Sequence, residues 1–314
     1  MMEVVLLSLA EGSGDSCGSG CGGCNTACAT PRTPVLACAD VLREAGAQVE
    51  TVVADSDQEI DAVLARFDGP ARSDGLTWPS LSADRRLVVA SASDGQLRAV
   101  LRRMVRRWAP PPSKRPSDLE ATRTVPDLPP LAILPLDPGN STDLAAQLGL
   151  PRTPDEVAKA VLAGAVRRLD LLRNDGGSVT LDGALLGGAD DRGAAVPWRG
   201  RVEVDDSVLT EGEEPILACA IGNGGGYAEF DGLRLLAEGN PADGRVEVAV
   251  AVPIIVKQRF KGTRVRIEVR RASGRAVSVL PREGELQFLD DGVAGSTSRK
   301  KSWWTEAGAW AVYA

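Results

Sequence analysis

Residues 86–97 read Arg86-Leu-Val-Val-Ala-Ser-Ala-Ser-Asp94-Gly-Gln-Leu97, an apolar run that breaks into small polar residues and then enters a helical pattern. Leu97, Val100, Leu101, Met104 and Val105 recur at helical spacing, which predicts an amphipathic helix from Gln96 to Trp108. The order is strand, tight bend, helix. A second passage repeats it: apolar Leu131–Leu136, a turn through Asp137-Pro138-Gly139-Asn140-Ser141-Thr142-Asp143, then a helical pattern toward Leu150-Pro151. Such bends expose backbone N–H groups at a helix N-terminus, where phosphate is favoured. Two of them at the carboxyl ends of neighbouring parallel strands frame a ligand crevice.

Outward from these bends the first half alternates in the same way. Glu3–Ala10, Val49–Val53 and Arg86–Ala90 have strand character, whereas Val35–Ala45 and Ile60–Phe67 have helical spacing. This βαβα order predicts a parallel sheet covered by helices. Ala109–Pro130 carries seven prolines and reads as an exposed loop. Thr153, with Glu156 three residues on, predicts the N-cap of a helix running to about Leu169. Beyond Asp170 short β-rich stretches alternate with Gly and Asp turns, from Ser178–Leu181 to Trp310–Tyr313, which predicts an antiparallel β-sandwich. The expected domains are 1–150, α/β with a Cys-rich loop at 17–38 and a Pro-rich loop at 109–130, and 151–314, β-rich, with its last segment packing back on the first domain.

Composition limits the function. The chain has 314 residues, 43% of them apolar, enough for two cores. With 43 acidic and 36 basic residues its net charge is −7, which argues against the broad positive footprint of a sequence-tolerant nucleic-acid binder. Histidine is absent, so Ser-His-Asp and Cys-His catalysis and imidazole-dependent zinc sites are excluded. The early apolar run Val4–Ala10 is shorter than a signal-peptide core or a membrane span, and Glu3 stands where a positive charge would be needed. A cytoplasmic protein is the expectation.

In this order of elements the two bends resemble the diacylglycerol kinase catalytic-domain family, which includes bacterial lipid kinases and sphingosine kinases and is distantly related to NAD kinases. Ala92-Ser93-Asp94-Gly95-Gln96 is similar to the family's Gly-Gly-Asp-Gly-Thr. Pro135-Leu136-Asp137-Pro138-Gly139-Asn140, followed by Asp143-Leu144-Ala145 and Leu148-Gly149-Leu150-Pro151, is similar to its Pro-Leu-Gly-Thr-Gly-Asn-Asp-Leu-Ala segment and Leu-Gly-Leu-Pro tail. Cys219 to Gly226 and Ala242 to Val248 resemble the glycine and Asp-Gly pattern of its second domain. The resemblance covers roughly residues 85–292. It implies transfer of the ATP γ-phosphoryl group to a lipid hydroxyl with Mg²⁺, in an enzyme of lipid metabolism. Asp94 and Asp291 are the implied catalytic carboxylates, and Ser93, Gly95, Gln96, Gly139, Asn140 and Asp243 line the nucleotide.

The chain also departs from the pattern. Ala92 and Ser93 replace two glycines, and their Cβ atoms obstruct close backbone approach to a phosphate or forbid positive φ. Asp137-Pro138 puts a carboxylate and a donor-less nitrogen where Gly-Thr is expected. Asp291-Gly292-Val293, which a strand precedes, is the better match to the family's Asp-Gly-Glu than Glu283-Gly284-Glu285, and it lacks the glutamate. These changes bear on catalysis more than on fold, and leave open a catalytically inactive nucleotide- or lipid-binding protein.

Two features lie outside the resemblance. Cys17, Cys21, Cys24 and Cys28, with Cys38 beyond, supply enough thiolates for Zn²⁺ or an iron–sulfur cluster, or form a reduced-thiol loop. A thiol metal or redox module is therefore a further alternative. Arg98, Arg102, Arg103, Arg106 and Arg107 on one helix face, a basic run over 257–275, and Arg299-Lys300-Lys301 beside Trp303 and Trp304 suit peripheral contact with an anionic membrane. Solvated faces are the alternative. Expected partners are ATP, a lipid and a second copy in a homodimer, but no nucleic acid.

Overall fold

A computed structural model describes residues 2–10, 33–80, 82–190, 192–223, 229–230, 233–236, 239–258 and 262–314. The chain forms two compact units: residues 1–169 with 308–314, and residues 170–307.

The first unit is α/β. Its strands β1 (Glu3–Leu9), β2 (Gln48–Ala54), β3 (Arg85–Ser91) and β4 (Leu131–Pro135) lie in the order β2-β1-β3-β4, all parallel. Val4 to Leu7, Leu87 to Ala90 and Leu131 to Leu134 are buried, as parallel strands covered on both faces require. Register runs Leu87↔Leu131 through Ser91↔Pro135, so both bends leave the sheet at the same level. Residues 308–314 complete this sheet, where Val312 pairs in parallel with Leu131.

Helices α1 (Thr33–Glu44), α2 (Asp57–Leu64), α3 (Asp94–Trp108), α4 (Leu144–Gln147) and α5 (Pro154–Ala163) connect the strands. Val35, Cys38 and Leu42 of α1 share a core with Val157, Ala158 and Val161 of α5, which extends the first unit past residue 150 to Leu169. Thr153 and Glu156 form the expected reciprocal cap. The helix does not continue to Leu169: Gly164, at φ +71, ends it, and Val166–Asn174 is a strand. The proline-rich stretch forms no element beyond the 3₁₀ turn Pro112–Lys114. It is nevertheless anchored, with Val125 and Leu128 buried and the Leu128 N–H donating to Ala309 O at 2.8 Å.

Three of the five arginines of α3 work within the fold, whereas Arg106 is exposed. Arg103 and Arg102 pair with Asp57, Arg103 also with Asp61, and Arg107 with Asp68, which ties α3 to α2 and the turn that follows it. Trp108 Nε1 donates to Asp68 at 3.0 Å.

The second unit is an antiparallel sandwich. One sheet has the order Gly262–Gly274, Val246–Gln258, Ala218–Gly222, Gly183–Leu186, Leu286–Asp290, Val293–Thr297. The other runs Ser207–Glu211, Gly200–Val204, Ala276–Pro281 and the first half of Lys301–Tyr313. Val202, Val204, Val277, Val279 and Trp303 meet Leu186, Ile221, Val246, Val248 and Val250 in its core. Trp303 is therefore a core residue and does not supply membrane contact.

Candidate functional site

The β3–α3 bend is shaped by two residues. Ser93 is the N-cap in extended conformation (φ −156, ψ 158), and its hydroxyl does not cap the helix. Buried Gln96 turns its side chain back, so that Oε1 accepts from Ala92 N–H at 2.8 Å. Neither Ala92 nor Ser93 has positive φ. The bend thus needs no left-handed residue where the family has glycines; only the bulk of the two Cβ atoms remains as an objection. Both residues are exposed.

The β4–α4 bend is a chain of local turns. Asp137 Oδ1 accepts from Gly139 N–H at 3.1 Å, and Asn140 Oδ1 accepts from the N–H and hydroxyl of Thr142 at 3.0 and 2.8 Å. Asp143 caps α4 by accepting from Ala146 N–H at 2.9 Å. Arg152 clamps this loop from the far side. Its guanidinium binds the Asp143 carboxylate and donates to the carbonyls of Pro138 and Asn140. The hydrogen bond to Asp143 pushes the Arg152 pKa upward.

The two bends converge. Asp94 links them: its carboxylate oxygens lie 3.1 and 3.3 Å from Leu144 N and accept that N–H at the start of α4. Leu136 N–H donates to Ser91 O at 2.9 Å. Ser91, Ala92, Ser93, Asp94, Asp137, Asn140 and Asp143 line one pocket. Its interior, about 10 Å³, holds no more than a single water. A triphosphate cannot enter it in this conformation. The surface left to phosphate is the exposed rim, Ala92, Ser93 and residues 137–142, beside the N-terminus of α3 with Gly95 in its first turn.

Asp243 and Asp291 belong to the second unit. Asp243 is exposed, and its carboxylate accepts from Arg245 N–H at 3.0 Å. Asp291 is 3% exposed and sits with Gly292 in a two-residue hairpin turn, at φ +48 and +78. Its carboxylate accepts three backbone N–H groups, from Leu181 at 2.7 Å, Asp182 at 2.9 Å and Gly183 at 3.2 Å. It fixes the turn into the strand Gly183–Leu186. Nearby, Asn223 donates its side-chain amide to Asp170 O and Leu181 O at 2.8 and 3.0 Å, while its buried Oδ1 meets no partner among the described residues.

At this bend, motif reading quoted Asp143 without giving it a role and passed over Arg152. Arg152 follows the quoted Leu-Gly-Leu-Pro, and the only signal for it was an arginine within reach of a carbonyl-rich turn.

No group of three His, Cys, Asp or Glu side chains placed to hold a metal occurs among the described residues. The carboxylates among the described residues therefore do not make a protein-held Mg²⁺ site, and no step is derived through one. Cys17, Cys21, Cys24 and Cys28 lie outside the described residues. Cys38 and Cys219 are buried, and burial pushes each thiol up to about 12.

The diacylglycerol kinase catalytic domain matches residues 31–174. None of the curated proteins matches. Among solved structures, a diacylglycerol kinase from Bacillus anthracis is similar at 13% identity and a TM-score of 0.58, over 98% of this chain and 96% of that one. An NAD kinase from Archaeoglobus fulgidus in complex with ATP is similar at 11% identity and a TM-score of 0.52, over 100% of this chain and 94% of that one. Residues 31–174 thus match the diacylglycerol kinase catalytic domain, on a chain with the fold shared by bacterial diacylglycerol kinases and NAD kinases.

Proposed function

We propose that this chain is a diacylglycerol kinase-like phosphotransferase that moves the γ-phosphoryl group of ATP to a lipid hydroxyl. One observation carries the reading. Within the matched domain, two strand–bend–helix corners on adjacent parallel strands converge, and Asp94 of one holds the helix start of the other. Phosphoryl transfer asks for positioning and charge stabilisation more than for covalent chemistry. On this reading the phosphates lie along the rim of Ser93, Gly139 and Asn140, next to the α3 N-terminus, and Asp94 keeps the two corners in register. Mg²⁺ would arrive with the nucleotide, bound mainly by phosphates and water. A soluble cytoplasmic enzyme working at a lipid surface is the accompanying proposal.

A second reading is nucleotide or lipid binding without turnover. It is favoured by the one-water pocket, by the engagement of Asp94 with Leu144 N–H, and by Val293 in place of a glutamate. Titration calorimetry with ATP and Mg²⁺, alongside transfer of γ-³²P to diacylglycerol in mixed micelles, separates the two. The kinase reading expects both binding and labelled lipid, reduced in Asp94→Asn. Binding without labelled lipid selects the second reading, and no binding at all refutes both. Metal analysis of anaerobically purified protein tests the thiol module independently: Zn or Fe that persists after Cys17, Cys21, Cys24 and Cys28 are changed to Ser ends it.

A further inference from the structure

The loop between β4 and α4 departs from the family's segment in two ways. Asp137-Pro138 stands in place of Gly-Thr, and Ser141-Thr142 separates Asn140 from Asp143. Both departures lie on the turn that Arg152 holds. Its guanidinium binds the Asp143 carboxylate, with Nη2 3.0 Å from Oδ2, and donates to Pro138 O at 3.2 Å and to Asn140 O. Among the described residues no other cation is bonded to residues 137–143.

Holding the two carbonyls fixes two peptide planes. The described residues contain no cis peptide, and across a trans peptide the N–H points opposite to the C=O before it. The N–H groups of Gly139 and Ser141 therefore point away from Arg152. The first donates to Asp137 Oδ1 at 3.1 Å. The second belongs to an exposed residue and meets no partner among the described residues. The neighbouring Asn140 Oδ1 is already occupied by the N–H and hydroxyl of Thr142. Charge is set in the same place. Residues 137–143 carry two carboxylates, Asp137 and Asp143, and Arg152 cancels one of the two charges. The hydrogen bond to Asp143 pushes the Arg152 pKa upward, and the nearby charge of Asp137 adds to that rise.

We propose that Arg152 is a positioning residue for the nucleotide's phosphates: it turns the loop so that Ser141 N–H donates to a phosphate oxygen, and its charge offsets the carboxylates beside which that phosphate lies. A backbone N–H aimed at an oxyanion makes a charge-assisted hydrogen bond, the stronger kind. Without Arg152 the phosphates would meet two like charges on the loop. The clamp thus supplies in this chain what Gly-Thr, absent here, cannot. The inference rests on the nucleotide reading above and adds to it the residue that shapes the phosphate rim.

The test is calorimetric titration of the full chain with ATP and Mg²⁺, and with adenosine, which has no phosphate. Ser141→Pro removes the single N–H and keeps the bend, because Asn-Pro favours such a turn and Asn140 Oδ1 can still accept from Thr142. It should lose about tenfold in ATP affinity, with adenosine affinity and melting temperature as in wild type. Arg152→Met removes both orientation and charge and should lose more ATP affinity than Ser141→Pro, again with adenosine affinity retained. Arg152→Lys keeps the charge without the planar fork and should recover only part of that loss. Because Arg152→Met also loosens the loop, Ser141→Pro is the variant that tests the phosphate contact apart from stability.

Wild-type ATP affinity in Ser141→Pro overturns the proposal. So does an Arg152→Met that loses ATP and adenosine in the same proportion, which is the mark of a clamp serving stability alone. Full recovery in Arg152→Lys would overturn the orientation of the N–H and leave charge as the whole effect. A wild-type chain that binds neither ligand refutes the nucleotide reading and this inference with it. ATP binding without phosphotransfer refutes the kinase reading and leaves the role of Arg152 standing.

Discussion

Asp291→Ala separates a structural carboxylate from a catalytic one. In the folded chain Asp291 accepts three backbone N–H groups of the segment Leu181–Gly183, all buried residues, at 2.7 to 3.2 Å. Hydrogen bonds to a charged group contribute roughly 1.5–3 kcal/mol each, and a buried donor left unpaired costs about 1–3 kcal/mol. Alanine keeps at φ +48 about 1–2 kcal/mol of backbone strain that Asp291 already bears and that glycine would avoid. Partial relaxation and water entry reduce the sum, so a net loss of about 4 kcal/mol is the working figure. With a urea slope of about 2 kcal/mol per molar, the midpoint should fall by about 2 M. Tryptophan fluorescence reads the transition, because Trp303 lies in the core of the second unit. Asp291→Gly should recover the backbone part, about 1 kcal/mol, and no more. A midpoint unchanged in Asp291→Ala, accompanied by loss of phosphotransfer, would refute this reasoning and return the residue to catalysis.

Other expectations follow from the first unit. Burial would raise the Asp68 pKa, but the hydrogen bonds from Arg107 and Trp108 outweigh it and hold the carboxyl below its usual range. A depressed folded pKa gives stability that is present above the unfolded value, about 4, and lost as pH falls through the folded value. Thermal melts from pH 6 to pH 2 should therefore show an acid-dependent loss that Asp68→Asn flattens. Arg152→Met releases Asp143 and the carbonyls of Pro138 and Asn140; a loss of about 1–3 kcal/mol in melting experiments and faster amide exchange over residues 137–143 are expected, and unchanged exchange would show that the loop does not depend on the clamp. Cys38 and Cys219, each pushed up to about 12 by burial, should react with an aromatic disulfide reagent at pH 8 only after denaturation.

The α/β half was legible because its signals are local and agree with one another. Short apolar runs such as Leu87–Ala90, bounded by turn residues, read as strands covered on both faces, and the Thr153–Glu156 pair announces its own cap. The bends were legible as bends, but their closure was not. It depends on the Gln96 side chain turning back to the Ala92 N–H and on Asp94 reaching 50 residues along the chain to Leu144, contacts between polar groups that the apolar pattern does not encode. The helix drawn to Leu169 overran because the apolar residues after Gly164 suit either element; the left-handed glycine decided the matter. Gly183–Leu186 and Val293–Thr297 carry weak local signals because they are short, glycine-containing strands held by their neighbours, the first by Ala218–Gly222 and Leu286–Asp290 and the second by Leu286–Asp290. The cationic face of α3 looked like a surface patch because its acidic partners, Asp57, Asp61 and Asp68, are about 40 residues away in sequence.

The pairing of Val312 with Leu131 has a consequence for synthesis. The parallel sheet of the first unit includes residues 308–314, which leave the ribosome only after all of residues 170–307 have been made. Until then β4 offers an unpaired edge to solvent, and the Leu128 N–H waits for its acceptor on Ala309. The half of the protein translated first is thus completed last, which makes this nascent chain a candidate for holding by chaperones while its final strand is awaited.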